Sequence, residues 1–403
     1  MGSYGSDRRP AQPSSTLGAM TDLPHLTALV LSGGGARGAY EAGVLAGLVD
    51  VLEDVRFDLF AGTSVGAINA TFLASHAHQP DLGVSQLTQL WAKLSPRTHL
   101  RPERRPFRRR AFLDVRPFED VVRQGVAWTH LSDNLDQGRI EGLFVAALDV
   151  ASGRTAVFAD MAPTTNFHPS RDPRRETVPC RITPDHVLAS AAIPGVFPPR
   201  PVGDSVYYDG GLRFNTPMAP VIRAGADRLV VVSPLHTSEA DDPAVAPDQL
   251  DALFLAGKML NAVLLDPFAY DLQVLERFNA LLHVLDQTME PHERAHFDER
   301  CIELRGSPYR TVDALVLSPS EDLGRLGIEH LLQHRRRYLR QGLGGFLMAL
   351  LGGRLAKSGT DLASYLLFDG VFTAKLMALG RADVAARAEE VRAFFARGDA
   401  AAG

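Results

Sequence analysis

Cysteine is scarce in this chain. The 403 residues include only Cys180 and Cys301, and neither stands in a paired metal-ligand pattern such as C-x-x-C. A disulfide framework would need more cysteines, so the sequence favours a reducing compartment. We therefore predict no disulfide scaffold, no metal site and no cofactor.

Long apolar runs are also lacking. No stretch approaches the roughly 20 apolar residues that span a bilayer, and the longest candidate, Phe346–Leu351, is bracketed by glycines. The segment Met1–Asp22 has no apolar core of a signal peptide. Gly2 and Ser6 match a myristoylation pattern, but the Gly, Ser and Pro content favours a disordered tail over 1–24. We predict a cytoplasmic protein that contacts membranes, if at all, at their surface.

A strong excess of one charge is absent as well. The net charge is -5, with 22% charged and 45% hydrophobic residues, as in an ordinary soluble globular protein. This balance gives no reason to expect a nucleic acid partner. The segment 97–110 departs from it with seven arginines. We interpret that segment as an exposed solvated loop, with binding of anionic lipid headgroups as the alternative.

Strands and helices alternate in the first part of the chain. A strand over Leu26–Leu31 ends at Gly33–Gly35, and apolar residues at helical spacing follow. A second strand, about Phe57–Ala61, is followed by a second helix after Ser64. Alternation of this kind predicts an α/β fold with a mostly parallel sheet covered on both faces.

The later part of the chain divides into two regions. Further strands are predicted at 143–150, 154–158, 206–208, 229–233 and 312–317, and helices begin at Thr183 and Asn215. We assign 25–236 to a catalytic domain and 237–248, which is acidic and contains proline, to a linker. We expect 249–403 to be a mainly helical C-terminal extension packed on that domain.

One serine lies in a nucleophile-elbow pattern. Gly62-Thr63-Ser64-Val65-Gly66 matches G-x-S-x-G between a predicted strand and a predicted helix, which is the context that an elbow requires. The glycines leave room for a tight turn, and the helix after Ser64 would direct its positive end toward the reacting centre. The pentapeptide alone fits a glycine-rich turn with a serine cap equally well.

The loop after the first strand could line an oxyanion hole. Its candidate residues are Gly33, Gly34, Gly35, Ala36, Arg37 and Gly38. Successive glycines let several backbone N–H groups point at one developing oxyanion, and Arg37 could add positive charge. Gly33, Gly35 and Gly38 also fit a dinucleotide-binding fingerprint, with Asp58 twenty residues later. However, the acid of that fingerprint should end the second strand, which here ends in the serine pattern. A loop that needs only small residues is the third interpretation.

The base is harder to find from the sequence. None of the 13 histidines has a recognisable catalytic setting, since His186 falls inside a predicted helix and His236 ends a strand. Asp209, followed by Gly210 and Gly211, ends a short predicted strand and could approach another loop closely. By itself this pattern is more typical of an Asp-Gly turn. An aspartate is a weak base in water, but it can accept a serine proton in a dry site within hydrogen-bond reach.

Together these motifs resemble patatin-like phospholipases. The glycine loop, the serine elbow and the aspartate turn occur in that family's order, and 189–194 followed by 197–199 resembles a fourth block. The likeness covers about residues 26–236. It implies a three-layer α/β/α fold and a catalytic dyad of Ser64 and Asp209 without histidine. It also implies that Gly33–Arg37 form the oxyanion loop.

The resemblance further implies a lipid or acyl-ester substrate. The expected activity is calcium-independent release of fatty acid through an acyl-enzyme. The alternatives are a broader carboxylesterase or acyltransferase with the same dyad, and a non-catalytic lipid-binding or regulatory protein on this fold. The segment Ser364–Asp369 resembles extensions of some bacterial patatin-like proteins. No pattern in the sequence indicates an oligomeric state.

Overall fold

The computed structural model describes residues 25–99, 101–103, 105–106, 111, 113–236, 266–341, 345 and 362–399. The expected tail 1–24, the expected linker 237–248 and the first part of the C-terminal extension lie outside these ranges. So do the apolar run 346–351 and about half of the arginine-rich segment. Within the described ranges, no helix combines the length and apolar character needed to cross a membrane.

Nine strands of the described residues form one sheet. They are β1 Leu26–Leu31, β2 Leu59–Thr63, β3 Gly142–Asp149, β4 Thr155–Met161, β5 Arg175–Pro179, β6 Arg200–Val202, β7 Ser205–Asp209, β8 Ala226–Val232 and β9 Asp313–Leu317. The main path runs β5-β4-β3-β2-β1-β8-β9. The five strands from β3 to β9 along this path are mutually parallel. β4 is antiparallel to β3, and the β6–β7 hairpin joins the sheet through β7, which is also antiparallel to β3.

Helices cover both faces of this sheet. In the described residues they are α1 Gly38–Val51, α2 Val65–Ser75, α3 Pro80–Ala92, α4 Pro96–His99, α5 Arg116–Gly125, α6 Trp128–Asp136, α7 Pro184–Ser190, α8 Met218–Arg223, α9 Asp266–Thr288, α10 Pro291–Arg305, α11 Leu323–Gln333, α12 Arg335–Tyr338, α13 Leu362–Leu366, α14 Gly370–Ala386 and α15 Ala388–Asp399. Single 3-10 turns occur at Gly35–Arg37 and Gly210–Leu212.

The core consists of two apolar layers that the central strands separate. Leu29 and Leu31 of β1 face a layer shared with α1, α2 and α14. Ala28 and Val30 face the opposite layer, which includes α8 and the start of α9. Because successive strand side chains point to opposite faces, a strand buried on both faces is apolar throughout. The predicted three-layer α/β/α fold is confirmed.

The chain after residue 236 contributes to this same core. β9 extends the sheet beside β8, and α14 packs on α1 at very short range. A Cβ added to Gly43 of α1 would lie 2.2 Å from the backbone oxygen of Met377, and one added to Gly380 would lie 2.5 Å from that of Tyr40. The two helices can approach so closely because no side chains stand between their backbones at these positions.

Several predicted boundaries are wrong. The second strand runs to Thr63 instead of stopping at Ala61, so it leads directly into the serine turn. The helix predicted to begin at Asn215 begins at Met218, with Pro217 as its N-cap residue. The arginine-rich segment, expected to be a loop, opens with the short helix α4. Backbone pairing with β3 extends β2 to Thr63, past its predicted end at Ala61.

Candidate active site

The C-terminal ends of β2 and β7 meet along one edge of β3. Thr63 of β2 pairs with Ala146 in parallel register, and Asp209 of β7 pairs with the next residue, Ala147, in antiparallel register. β4 occupies the other edge of β3 at these residues, so β2 and β7 share one edge. Ser64, which directly follows β2, is therefore brought beside Asp209.

The turn at Ser64 has the strained geometry of a nucleophile elbow. Its φ of 56° is the only positive φ of a non-glycine residue in the described part of the chain. A Cβ on Gly62 would lie 2.3 Å from the backbone oxygen of Gly66, and one on Gly66 would lie 2.4 Å from that of Leu31. Both flanking positions therefore require glycine. Thr63 and Val65 of the predicted elbow end β2 and begin α2.

The serine and the aspartate are hydrogen-bonded to each other. The Ser64 hydroxyl donates to Oδ2 of Asp209 at 2.6 Å, and the N–H of Gly211 donates to Oδ1 at 2.8 Å. Both side chains are buried, at 5% and 3% exposure. Among the residues that the structure describes, no histidine is bonded to Ser64. Gly210 packs so closely on β3 that a Cβ would lie 2.3 Å from the oxygen of Ala146.

Burial changes the proton affinity of this carboxyl group. It raises the pKa of Asp209 from 3.8 to about 7, because the charged form loses its hydration. The hydrogen bonds from Ser64 and Gly211 act in the opposite direction, since they stabilise the carboxylate. A carboxyl group with this pKa is a far better proton acceptor near neutral pH than an exposed aspartate.

The glycine loop lies directly beside the serine. A Cβ on Gly33 would be 3.1 Å from Cβ of Ser64. The N–H of Gly33 donates to the backbone oxygen of Asn215 at 3.3 Å, and the Asn215 side chain donates back to the oxygen of Gly33 at 3.2 Å. The N–H groups of Gly34 and Gly35 have no acceptor among the described residues. Two backbone donors next to Ser64 are thus available to an anion.

The remaining residues of the predicted oxyanion loop support it. The N–H of Arg37 donates to the oxygen of Gly34 at 3.2 Å, which closes the 3-10 turn through Ala36. Gly38 begins α1, and a Cβ there would meet Val65 at 2.6 Å. The Arg37 side chain does not line the cavity beside Ser64. It is buried against the C-terminal segment, where Nε donates to the hydroxyl of Ser364 at 2.8 Å.

A small cavity of about 20 Å³ lies at the centre of these groups, with room for about one water molecule. Its lining residues are Gly33, Gly34, Gly35, Ser64, Ile193, Pro194, Asp209, Leu212, Asn215 and Tyr365. Ile193, Pro194 and Leu212 are partly or fully exposed, whereas Tyr365 is buried. The wall of the cavity nearest to solvent is therefore apolar.

The sequence analysis missed three residues of this site. Ser190 accepts from the N–H of Ser64 at 2.8 Å and donates to the oxygen of Ala146 at 2.6 Å, so it ties the elbow to β3. Asn215 holds the glycine loop, and Tyr365 closes one side of the cavity. Ser190 and Tyr365 stand in segments that resembled the family, but nothing in either pattern indicated these contacts.

The dinucleotide alternative lacks its acidic partner. Asp58 immediately precedes β2, at the edge of the sheet opposite to Ser64, and its Oδ2 accepts from the N–H of Thr27 at 2.7 Å. The glycine loop and this carboxylate are thus at opposite ends of their strands. Across the described ranges, no group of three His, Cys, Asp or Glu side chains is placed to hold a metal ion.

Known proteins share parts of this sequence. Residues 29–222 match the family model of the patatin-like phospholipases. A protein of Pseudomonas aeruginosa named cGAMP-activated phospholipase is 33% identical over 207 residues, which cover 49% of this chain and 56% of that protein. The chain thus matches little more than half the length of this relative.

Solved structures show only weak likeness. VipD from Legionella pneumophila has a TM-score of 0.31 at 14% identity, over 94% of this chain and 88% of that one. ExoU in complex with SpcU, from the type III secretion system of Pseudomonas aeruginosa, has a TM-score of 0.25 at 15% identity, over 90% and 77%. Scores this low carry no argument about function. The sequence comparisons instead relate residues 29–222, just under half of the chain, to the patatin-like phospholipase family.

Proposed function

We propose that this protein is a serine acyl hydrolase that releases fatty acids from lipid esters, with Ser64 as nucleophile and Asp209 as base. The observation that carries the proposal is the 2.6 Å hydrogen bond from the Ser64 hydroxyl to Asp209, beside the N–H groups of Gly34 and Gly35, which have no acceptor in the part of the chain that the structure describes. Nucleophile, base and oxyanion donors are the three parts that acyl transfer requires.

The proposed reaction has two steps. The Ser64 oxygen attacks the ester carbonyl carbon while its proton passes to Oδ2 of Asp209, and the negative charge on the carbonyl oxygen is stabilised by the N–H groups of Gly34 and Gly35. The tetrahedral intermediate then collapses, and the leaving alcohol takes the proton from Asp209. Water attacks the acyl-enzyme in the same way, so that the fatty acid leaves and Ser64 regains its proton.

The raised pKa of Asp209 makes this role physically reasonable. General bases act best when their pKa lies near the working pH, and burial raises the pKa of this carboxyl to about 7. An exposed aspartate would be too weak a base, but the raised pKa makes Asp209 a stronger one. The Asp209 carboxylate is already oriented, because Oδ2 accepts from the Ser64 hydroxyl and Oδ1 accepts from the N–H of Gly211.

A lipid substrate is supported by the family match and by the name of the Pseudomonas aeruginosa relative. The cavity holds about one water molecule, so an acyl chain can enter only if part of its wall moves. We assign that movement to the exposed apolar wall of Ile193, Pro194 and Leu212. Contact of this wall with a membrane surface would place the ester bond of a phospholipid near Ser64.

The decisive test compares wild type with Ser64→Ala and Asp209→Asn. Hydrolysis of p-nitrophenyl butyrate and of phosphatidylglycerol vesicles should fall about 1,000-fold or more in both variants. Asp204→Asn removes an exposed carboxylate from the nearby β6–β7 turn and is the control with full activity. Each assay is run with and without cGAMP, because the relative is named for activation by it. Substantial turnover by either dyad variant would refute the proposed mechanism.

Two further measurements separate the alternatives. A fluorophosphonate should label wild-type protein but not Ser64→Ala, whereas a non-catalytic binding protein would show no labelling. Product analysis with added glycerol distinguishes a hydrolase from an acyltransferase, because an acyltransferase would convert the acyl-enzyme to a new ester.

A further inference from the structure

The C-terminal segment Ser364–Asp369 is packed against the glycine loop. Ser364 and Tyr365 are 0% and 1% exposed, and Tyr365 lines the cavity beside Ser64. The Tyr365 carbonyl oxygen lies 2.3 Å from where a Cβ on Gly35 would stand, and Gly35 has a φ of +57°. This carbonyl therefore packs directly on the Cα of a residue whose N–H we assign to the oxyanion.

Arg37 connects the same segment to the loop. Its Nε donates to the Ser364 hydroxyl at 2.8 Å, and its guanidinium lies 4.1 Å above the centre of the Tyr365 ring. Its backbone N–H closes the turn on Gly34. One residue thus bonds to the glycine loop through its main chain and to the C-terminal segment through its side chain.

The other end of the segment is fixed as well. The buried Asp369 carboxylate accepts from the Tyr338 hydroxyl at 2.5 Å and from Arg337 at 3.0 Å. It also caps α14 by accepting from the N–H of Val371 at 3.2 Å. Burial acts to raise the pKa of Asp369, but the contact with His330, together with these bonds, holds it at about 2, well below its usual range. Since α14 packs on α1, the C-terminal region supports both the loop and the helix that continues from it.

We propose that Ser364 and Tyr365 are positioning residues of the active site, which act through Arg37 and Gly35 to fix the N–H groups that stabilise the oxyanion. This inference rests on the proposed acyl hydrolase activity. Removal of the segment would take from a buried guanidinium the hydrogen bond to Ser364 and the contact with the Tyr365 ring, which is costly. The segment is therefore a permanent part of the site and not a cover that leaves when substrate binds.

The experiment compares Ser364→Ala with Ser75→Ala. Both changes remove a buried hydroxyl from a helix, but the Ser75 hydroxyl lies at the C-terminal end of α2, where it bonds to the backbones of Phe72 and Ala127, neither of which lines the cavity. With p-nitrophenyl butyrate, Ser364→Ala should lower kcat about 10-fold and leave KM within about twofold, because oxyanion donors act mainly in the transition state. Ser75→Ala should leave both constants unchanged. Tyr365→Leu, which removes the ring beneath Arg37, should repeat the loss of kcat.

A double-mutant cycle tests the route through Arg37. If Ser364 acts only by holding Arg37, then Ser364→Ala should have no further effect on kcat in an Arg37→Met background. Thermal unfolding of each variant shows whether it is folded at the assay temperature, and a variant that is not is replaced in the comparison by Tyr365→Leu. A general loss of stability would lower activity by the same factor in both backgrounds.

The outcomes separate this inference from the proposed function. If the wild-type protein has no esterase activity, both the proposed function and the positioning role are refuted. An active wild type and inactive Ser64→Ala, with Ser364→Ala and Tyr365→Leu at wild-type kcat, would refute the positioning role alone. Independent effects of Ser364→Ala and Arg37→Met on kcat would also refute the positioning role. So would a higher kcat in Tyr365→Leu than in wild type, because it would show that the segment obstructs the site.

Discussion

Replacement of Asp209 by asparagine should stabilise the folded protein while it removes activity. Burial raises the pKa of this carboxyl from 3.8 to about 7, so the folded state holds the proton more tightly than the unfolded chain does. The stability that Asp209 contributes is therefore complete below about pH 4 and is lost as the pH rises through about 7. Over that interval the loss amounts to at most about 4 kcal/mol, since one pKa unit corresponds to 1.36 kcal/mol.

Asparagine has nearly the same shape as the protonated side chain but cannot ionise. Urea unfolding of wild type and Asp209→Asn, measured from about pH 4 to about pH 8, should give similar free energies at the acid end. Near pH 8 the variant should be more stable by up to about 4 kcal/mol, because it has no buried charge. Asp204→Asn, an exposed change five residues earlier, should show no such divergence.

Two results would contradict this reasoning. One is a difference between the Asp209→Asn and wild-type free energies that does not change with pH, because the effect would then be unrelated to ionisation. The other is a variant that loses stability near pH 8, because the hydrogen bonds to Ser64 and Gly211 would then outweigh the cost of burying the charge. Either would also weaken the case for a base with a pKa near 7.

Four further predictions follow from the same geometry. In a pH profile, kcat/KM should rise with pH to a plateau. The midpoint of the rise should lie near 7, the raised pKa of Asp209, and not near 4. Ser64→Gly should unfold at a higher temperature than Ser64→Ala, because only glycine relieves the positive φ, a difference of about 1 kcal/mol. Gly66→Ala should lower the free energy of unfolding by about 3 kcal/mol or more because of its backbone clash, whereas Gly138→Ala, with open space around it, should cost about 1 kcal/mol in urea unfolding. Ser190→Ala should cost about 1–3 kcal/mol in the same assay, because it leaves the buried Ser64 N–H without an acceptor.

Local patterns predicted the first half of the site. A mostly apolar strand, a glycine loop and a helix with regularly spaced apolar residues form one unit, so the sequence placed Gly33–Gly35 and Ser64 at strand ends correctly. Conformational demands made these signals strong, because the positive φ at Ser64 and the backbone approaches at Gly62 and Gly66 restrict which residues fit. The order of the motifs then predicted the family.

Contacts between distant segments could not be predicted in the same way. The hydroxyl of Ser190 supports the elbow only because α7 lies across β3, and Tyr365 reaches the cavity only because α14 packs on α1. Neither residue differs in type from the many serines and tyrosines of ordinary cores. The role of Arg37 also depended on tertiary structure, since only the position of Ser364 shows that its side chain is directed to the C-terminal segment.

The register of β3 explains how two residues 145 positions apart meet within hydrogen-bond distance. Thr63 and Asp209 pair with the adjacent residues Ala146 and Ala147 along the same edge, so one residue step of β3 sets the spacing of the Ser64 and Asp209 side chains. A slip of β7 by one residue would turn the carboxylate to the opposite face of the sheet. Gly210 is needed for a separate reason. Any side chain at this position would collide with β3 and push Asp209 away from Ser64. The precision of the dyad therefore comes from backbone pairing in a buried sheet, which is stiffer than any loop that could have carried the same two side chains.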